Sequence, residues 1–353
     1  MYVENDRGET RRAGVAACGC VDIHTHVVPH DFPPYGGRRA NVPWPSMAPA
    51  HACHRHVMIS EKIYRTVSDQ CWDLERRLAD MDARNVAQQV LSPMPELLSY
   101  WMEPDDGAAL ARYMNELIAN MVSAAPGRFA GLAAVPLQDV DTAISELDYA
   151  VNRLGLAGAE IGSNVNGVAI GDARFDPFFE AAARWNAAIF VHAIRPAGMD
   201  RIVGSFNFEQ VLCFPGEIGL AAASMITGGM IARHPNLRIA FSHGGGSLQV
   251  LVARLQHAWE VLPALRQQIA EAPRVQAGKM FYDDLLYDAD AIRNLIRAVG
   301  ATQVMVGTDY PFVIMDQEPD RRALSLELST ADSDLLRFGN ARRWLGERGK
   351  PSA

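Results

Sequence analysis

The chain has 353 residues, 49% hydrophobic and 21% charged, with a formal net charge of −8. This is a globular composition with material for a large core, long enough for two or three small domains or one α/β barrel with insertions. The acidic balance and the lack of any Lys/Arg run argue against nucleic acid as a partner, while a local arginine pair can still receive an anionic substrate. No apolar run reaches the roughly 18 residues expected of a transmembrane helix. Residues 1–17 read as a flexible tail: Met1 to Arg12 is polar and charged and lacks the apolar stretch of a secretory signal. The five cysteines, Cys18, Cys20, Cys53, Cys71 and Cys213, are odd in number and unevenly spaced. A disulfide framework is not expected, and a reducing cytoplasm fits best.

Val21-Asp22-Ile23-His24-Thr25-His26 alternates apolar and polar residues with the period of a strand. His24 and His26 then project to one side, a spacing at which two imidazoles can hold one divalent cation. The Pro-, Gly- and Arg-rich stretch that follows, to about Pro49, reads as irregular, and residues 29–70 together read as an insertion or lid over the site. Within it, His51, Cys53, His54 and His56 admit two readings: a second metal site or lid ligand, or a polar loop. Their spacing fits no standard zinc module, which favours the loop; an extended run, Val57-Met58-Ile59, follows. Trp72, Leu74, Leu78 and Met81 predict an amphipathic helix. Beyond it the pattern alternates. Strands are expected over 86–91, 128–135, 157–161, 188–192, 237–242, 280–282 and 303–306. Helices are expected over 105–123, 139–154 with an aspartate at the cap position, 175–185, 217–233, 247–260, 288–299 and 331–345.

With the strand near 21 this makes eight strands alternating with helices or insertions, which points to a single (β/α)8 barrel domain spanning 1–353. A doubly wound sheet is the alternative, but no G-x-G-x-x-G follows the first strand. In such a barrel, chemistry sits at the C-terminal ends of strands. His24 and His26 close the first strand, His192 the fifth and His243 the sixth, and Asp309 follows the eighth. His24, His26, His192 and Asp309 make an N3O set suited to one zinc per chain, with manganese as the alternative, and catalytic sites keep a position open for water. His243 is left over as a general acid/base, and Gly244-Gly245-Gly246 lets the backbone approach a ligand before a helix begins.

These blocks resemble the amidohydrolase superfamily, and within it the α-amino-β-carboxymuconate-ε-semialdehyde decarboxylase branch. The likeness is carried by Asp22-Ile23-His24-Thr25-His26, Val135-Pro136-Leu137-Gln138-Asp139, Ile189-Phe190-Val191-His192, Ser242-His243-Gly244-Gly245-Gly246-Ser247 and Gly307-Thr308-Asp309-Tyr310-Pro311-Phe312. The resemblance implies a distorted (β/α)8 barrel, one zinc and non-oxidative loss of CO2. It places His24, His26, His192 and Asp309 at the metal and makes His243 the catalytic histidine. It also matches Arg65, seven residues before Trp72-Asp73, to an arginine that grips a substrate carboxylate. Arg254, eleven residues after His243, matches a second arginine that reaches the neighbouring subunit's site in a homodimer. Read without the resemblance, either arginine can be an ordinary solvated charge, although a guanidinium suits a planar carboxylate. The chain departs from the pattern over 30–59 and after His192, where Ala193-Ile194 stands in place of a common Pro-Trp pair. At the fourth strand end it carries Glu160 rather than a lysine that could be carbamylated, against a two-metal hydrolase.

The function expected from this is decarboxylation of a carboxylated muconate semialdehyde or a hydroxy- or amino-substituted aromatic acid. His243 would move the proton, and Arg65 and Arg254 would orient carboxylates. A metal-dependent hydrolase or hydratase acting on a lactone, amide or conjugated acid is the second reading, and a catalytically silent binding barrel the third.

Overall fold

A computed structural model describes residues 2–4, 10–12, 19–204 and 208–349. Eight strands pair in parallel, neighbour to neighbour in chain order. They are β1 (Cys20–Val27), β2 (Val86–Pro93), β3 (Phe129–Ala133), β4 (Gly158–Gly162), β5 (Ala188–His192), β6 (Arg238–Phe241), β7 (Phe281–Asp283) and β8 (Val304–Met305). The seam between β8 and β1 is bridged by backbone bonds from Ile23 N–H to Val306 O (2.9 Å) and from His26 N–H to Tyr310 O (2.7 Å). The result is a nearly closed barrel, as the alternating pattern predicts.

The strands are buried along almost their whole length, which is why they read as apolar runs rather than as clean alternation. Inside, Val90, Leu132, Ala188, Phe190, Ala240 and Met305 fill the barrel, and Trp344 on the C-terminal helix (Asn340–Leu345) packs into the same cluster. Outside, the strands pack against α1 (Leu74–Ala83), α2 (Pro104–Ala124), α3 (Val140–Asn152), α4 (Asp176–Arg184), α5 (Phe214–Thr227), α6 (Leu248–Val261) and α7 (Ala289–Val299). Three of these begin on aspartate caps: Asp73, Asp139 and Asp288 each accept a backbone N–H at 2.9 Å.

Four expectations need correction. The helix expected over 217–233 starts earlier, through a wider turn at Glu209–Cys213, and ends at Thr227; Gly228-Gly229 then breaks it, Gly229 at φ +76°, before the short helix Met230–Arg233. Second, this helix from Glu209 to Thr227 is, at 19 residues, long and apolar enough to cross a membrane by length and composition. Ile218, Ala221, Ala222, Met225 and Ile226 are buried in the core, so much of that apolar character serves barrel packing. Third, the insertion is not irregular throughout. Ser46–Pro49, His54–Ile59 and Lys62–Ser68 form an antiparallel three-stranded sheet, so His54 and His56 lie on a strand rather than in a loop. Its hairpin turns at Ser60-Glu61, both at positive φ, without the Gly or Asn that usually marks such a turn. Fourth, the amino-terminal segment is not wholly a tail: Tyr2–Glu4 pairs antiparallel with Thr10–Arg12, and the rest of 1–17 lies outside the described residues.

Candidate active site

At the C-terminal mouth of the barrel four side chains converge. His24 and His26 come from β1, whose register against β2 shifts between Asp22 and Thr25; this irregularity helps re-aim both imidazoles. His192 ends β5, and Asp309 follows β8. One ligand atom from each of the four lies within 4.8 Å of the others. All four residues are buried.

The hydrogen bonds decide which atoms face inward. His24 Nδ1 is 2.7 Å from Asp283 Oδ2, His26 Nδ1 is 3.1 Å from Pro93 O, and His192 Nδ1 is 2.9 Å from Ala193 O. A carbonyl oxygen or an ionised carboxylate only accepts, so each imidazole carries its proton on Nδ1 and turns a lone pair outward from Nε2. The three Nε2 atoms and Asp309 Oδ1 are buried and lack hydrogen-bond partners. Buried polar atoms are rarely left unpaired. Three imidazole lone pairs and one carboxylate oxygen, drawn together and unsatisfied, are the donor set of a divalent cation. His24, His26, His192 and Asp309 therefore form the metal site.

Electrostatics follow the same layout. Burial and the neighbouring imidazoles hold His192 well below its ordinary range, and burial lowers His26. Burial also pulls on His24, but the Asp283 hydrogen bond and the charges of Asp309 and Asp283 outweigh it and lift the metal-free imidazole to about 9. Asp309 stays below the usual carboxylate range because His26 and His24 overcome its burial. Glu160, wholly buried 3.9 Å from His26 Nδ1, is pushed by burial up to about 8.

His243 stands beside the cluster, its ring centroid 5.4 Å from that of His24 and 5.2 Å from that of His192. Its Nδ1 is 3.0 Å from Ser242 Oγ, and burial, then the His24 charge, pushes it down to about 4. Its backbone is left-handed (φ +54°), as is that of the three glycines after it. At Gly246 a Cβ would lie 1.9 Å from Pro215 O, so the turn after His243 needs glycine there.

A cavity of about 560 Å³ opens onto His192, His243 and Asp309. Arg65 reaches its wall from the hairpin, its guanidinium carbon 4.4 Å above the Phe312 ring, which itself stacks on His26. Arg254 is exposed on α6 and is not among the residues lining the cavity. The His51 and His54 ring centroids lie 4.3 Å apart with the planes tilted by 32°, but His51, Cys53, His54 and His56 form no ligand cluster among the described residues. Asp283 was not singled out in the sequence; it directly follows the strand expected over 280–282, and the rule of functional residues at strand ends would have found it.

A family model described as Amidohydrolase matches residues 21–346. The chain belongs to the amidohydrolase family. The 2-amino-3-carboxymuconate-6-semialdehyde decarboxylase of Dictyostelium discoideum is 36% identical over 328 residues, covering 92% of this chain and 91% of that protein. Among solved structures, IDCase of Metarhizium anisopliae superposes with a TM-score of 0.79 at 20% identity, covering 94% of this chain and 98% of that one. A dihydroxybenzoic acid decarboxylase from a Polaromonas species, with bound manganese and the inhibitor 2-nitroresorcinol, gives a TM-score of 0.68 at 22% identity over 77% of this chain and 85% of that one. With its His/His/His/Asp centre, the chain is a metal-dependent decarboxylase of the branch that handles carboxymuconate semialdehyde and aromatic acids.

Proposed function

We propose that this decarboxylase releases CO2, without oxidation, from a carboxylated muconate semialdehyde or a hydroxy- or amino-substituted aromatic acid, with one zinc ion held by His24, His26, His192 and Asp309. The observation that carries this reading is the set of Nε2 lone pairs facing Asp309 beside His243 on the cavity wall. Three nitrogens and one carboxylate oxygen suit zinc, and manganese, the metal of the Polaromonas structure, is the alternative. When bound, the cation supplies positive charge that polarises a substrate oxygen and draws electrons away from the breaking bond.

The protein's own groups do the rest. His243 first takes a proton from water or a substrate hydroxyl or amino group. The bond to the carboxylate then breaks, CO2 departs, and the electron pair stays on the ring or chain carbon. His243 returns the proton to that carbon. Arg65 orients a carboxylate from the cavity wall, and the insertion that carries it acts as a lid. Arg254 serves a second copy's cavity in a homodimer; Val250, one turn earlier on α6, is 76% exposed, and Leu220, on the packed neighbour α5, is 54% exposed, which gives that face apolar area to cover. A reducing cytoplasm suits the unpaired state of Cys20, Cys53, Cys71 and Cys213. The test is CO2 release from a panel of such acids, with hydrolysis followed in parallel and metal content measured on the same sample. Hydrolysis without CO2 would overturn the proposal, and a manganese-only enzyme would overturn the zinc assignment.

A further inference from the structure

Arg195 lies three residues past His192, on the cavity wall, in the part of the chain where the family pattern is not followed. Its backbone is left-handed at φ +40°, unusual for a non-glycine residue. A buried polar network holds that loop. Asn164 Nδ2 donates to Ile194 O (2.8 Å) and to Glu217 Oε1 (2.9 Å), Ile194 N–H donates to Ser163 Oγ (3.2 Å), and Ala197 N–H donates to Glu217 Oε2 (3.0 Å). The loop is therefore set before any ligand arrives.

The side chain is set as well. The guanidinium carbon sits 3.4 Å from the centre of the Trp101 ring, a close cation–π contact that anchors the side chain. A guanidinium has five N–H donors. Among the described residues, the hydrogen bond found for Arg195 is one, from Nη2 to Glu96 Oε1 at a long 3.3 Å, and its side chain is 51% exposed. Glu96 is shared with Tyr64, which directly precedes Arg65 on the hairpin. Two cations, Arg65 and Arg195, and two carboxylates, Glu96 and Glu209, thus line this cavity beside the metal site.

We propose that Arg195 is a specificity-determining residue whose anchored, under-used guanidinium receives a second carboxylate of the substrate, selecting diacids over monoacids. This rests on the decarboxylase reading above and gives it a narrower substrate class. The step is binding only: no bond forms or breaks at Arg195, and its Glu96 contact is exchanged for the incoming anion.

The test is calorimetric binding to metal-loaded protein of matched probes that differ by one carboxylate: muconate against sorbate, and isophthalate against benzoate. The wild type is expected to prefer each diacid. In R195A the ratio of diacid to monoacid affinity should fall about 10- to 100-fold, the range of a charge-assisted bond. R195K should restore part of it. E96Q, which removes the competing anion, should raise the ratio. Should R195A fail to fold, R195Q, which keeps three side-chain carbons and a polar end without the charge, decides. The inference is overturned if the wild type has no diacid preference, if R195A leaves the ratio unchanged, or if both affinities fall together. Wild-type CO2 release from the acid panel tests the decarboxylase reading separately, so an active enzyme with an unaltered ratio in R195A would sink only the Arg195 assignment.

Discussion

Asp283 holds one metal ligand and the loop that follows His243 at once, so Asp283→Asn is the most informative single change. One oxygen, Oδ2, accepts from His24 Nδ1 at 2.7 Å; the other, Oδ1, accepts from Gly244 N–H at 2.7 Å and Leu285 N–H at 3.2 Å, and both side chains are fully buried. An asparagine cannot meet both demands. With its oxygen toward His24, its NH2 confronts two backbone donors. With its NH2 toward His24, the imidazole must give up the proton on Nδ1, and the proton then occupies Nε2, the atom the cation needs. Loss of such an outer partner costs about 10- to 100-fold in metal affinity, or about 1.4–2.7 kcal/mol. The assay is competition for zinc against a chelator, with folding checked by circular dichroism. It should be run across pH, because the sign depends on it. In metal-free wild type, Asp283 helps lift His24 to about 9, so zinc must displace a proton below that pH. Removing the carboxylate lowers the His24 pKa and relieves part of that competition. The deficit of the variant should therefore be greatest near pH 9 and shrink toward neutrality. An affinity within about twofold of wild type at pH 9 would refute the orienting role of Asp283.

His243→Ala should keep its metal and lose about 10²- to 10⁴-fold in turnover, as expected for loss of a proton-transfer group; near-normal turnover removes that role. Arg77→Met should destabilise the fold by at least about 3 kcal/mol in denaturant titration. Arg77 is wholly buried and donates to His26 O (2.6 Å), Gln70 O (3.0 Å), Gln89 Oε1 (3.2 Å) and Thr25 Oγ1 (3.4 Å), acceptors that methionine leaves stranded. Asp139→Ala should cost about 1 kcal/mol at neutral pH by uncapping α3. The Thr142 N–H holds the Asp139 carboxyl below its ordinary value of 3.8, so its contribution is present above 3.8 and lost as pH falls through the lower folded value. Stability curves of variant and wild type should then converge in acid, and a constant gap would show that the cap does not act through its charge.

The ligand set was legible because strand ends carry it. A histidine or aspartate that interrupts an apolar run at its C-terminal end shows in one dimension, and His24, His26, His192, His243 and Asp309 all do so. Asp283 obeys the same rule, yet its strand is only three residues long and the following Asp284 makes the pair look like a solvated turn. Arg77 was hidden for the opposite reason: among the charges of α1 it reads as another exposed residue, and only the packing of α1 against β2 shows it inside. The sheet within 46–68 showed only in the extended run Val57-Met58-Ile59, because polar strands joined at Ser60-Glu61 carry neither clean alternation nor turn chemistry. Arg195 carried no local signal; its partners Trp101 and Glu96 lie about a hundred positions away.

The seam that closes the barrel is also the seam that carries three of the four metal ligands. The backbone bond from Asp309 N–H to His24 O, at 2.9 Å, joins two of the four ligand residues, and the bond from His26 N–H to Tyr310 O lies one step further along the same seam. Gly307 makes the close approach feasible, because a Cβ there would lie 2.7 Å from that of Asp283 and 3.0 Å from that of His24. Asp309 itself holds φ +67°, a conformation worth about 1–3 kcal/mol of strain that persists only where the surroundings over-determine it. Here the surroundings are the seam itself. The seam that joins the first strand to the eighth also sets Asp309 against His24 and His26. Strands two to seven then supply His192, the Pro93 carbonyl that aims His26 and, from Asp283, the hydrogen bond that aims His24.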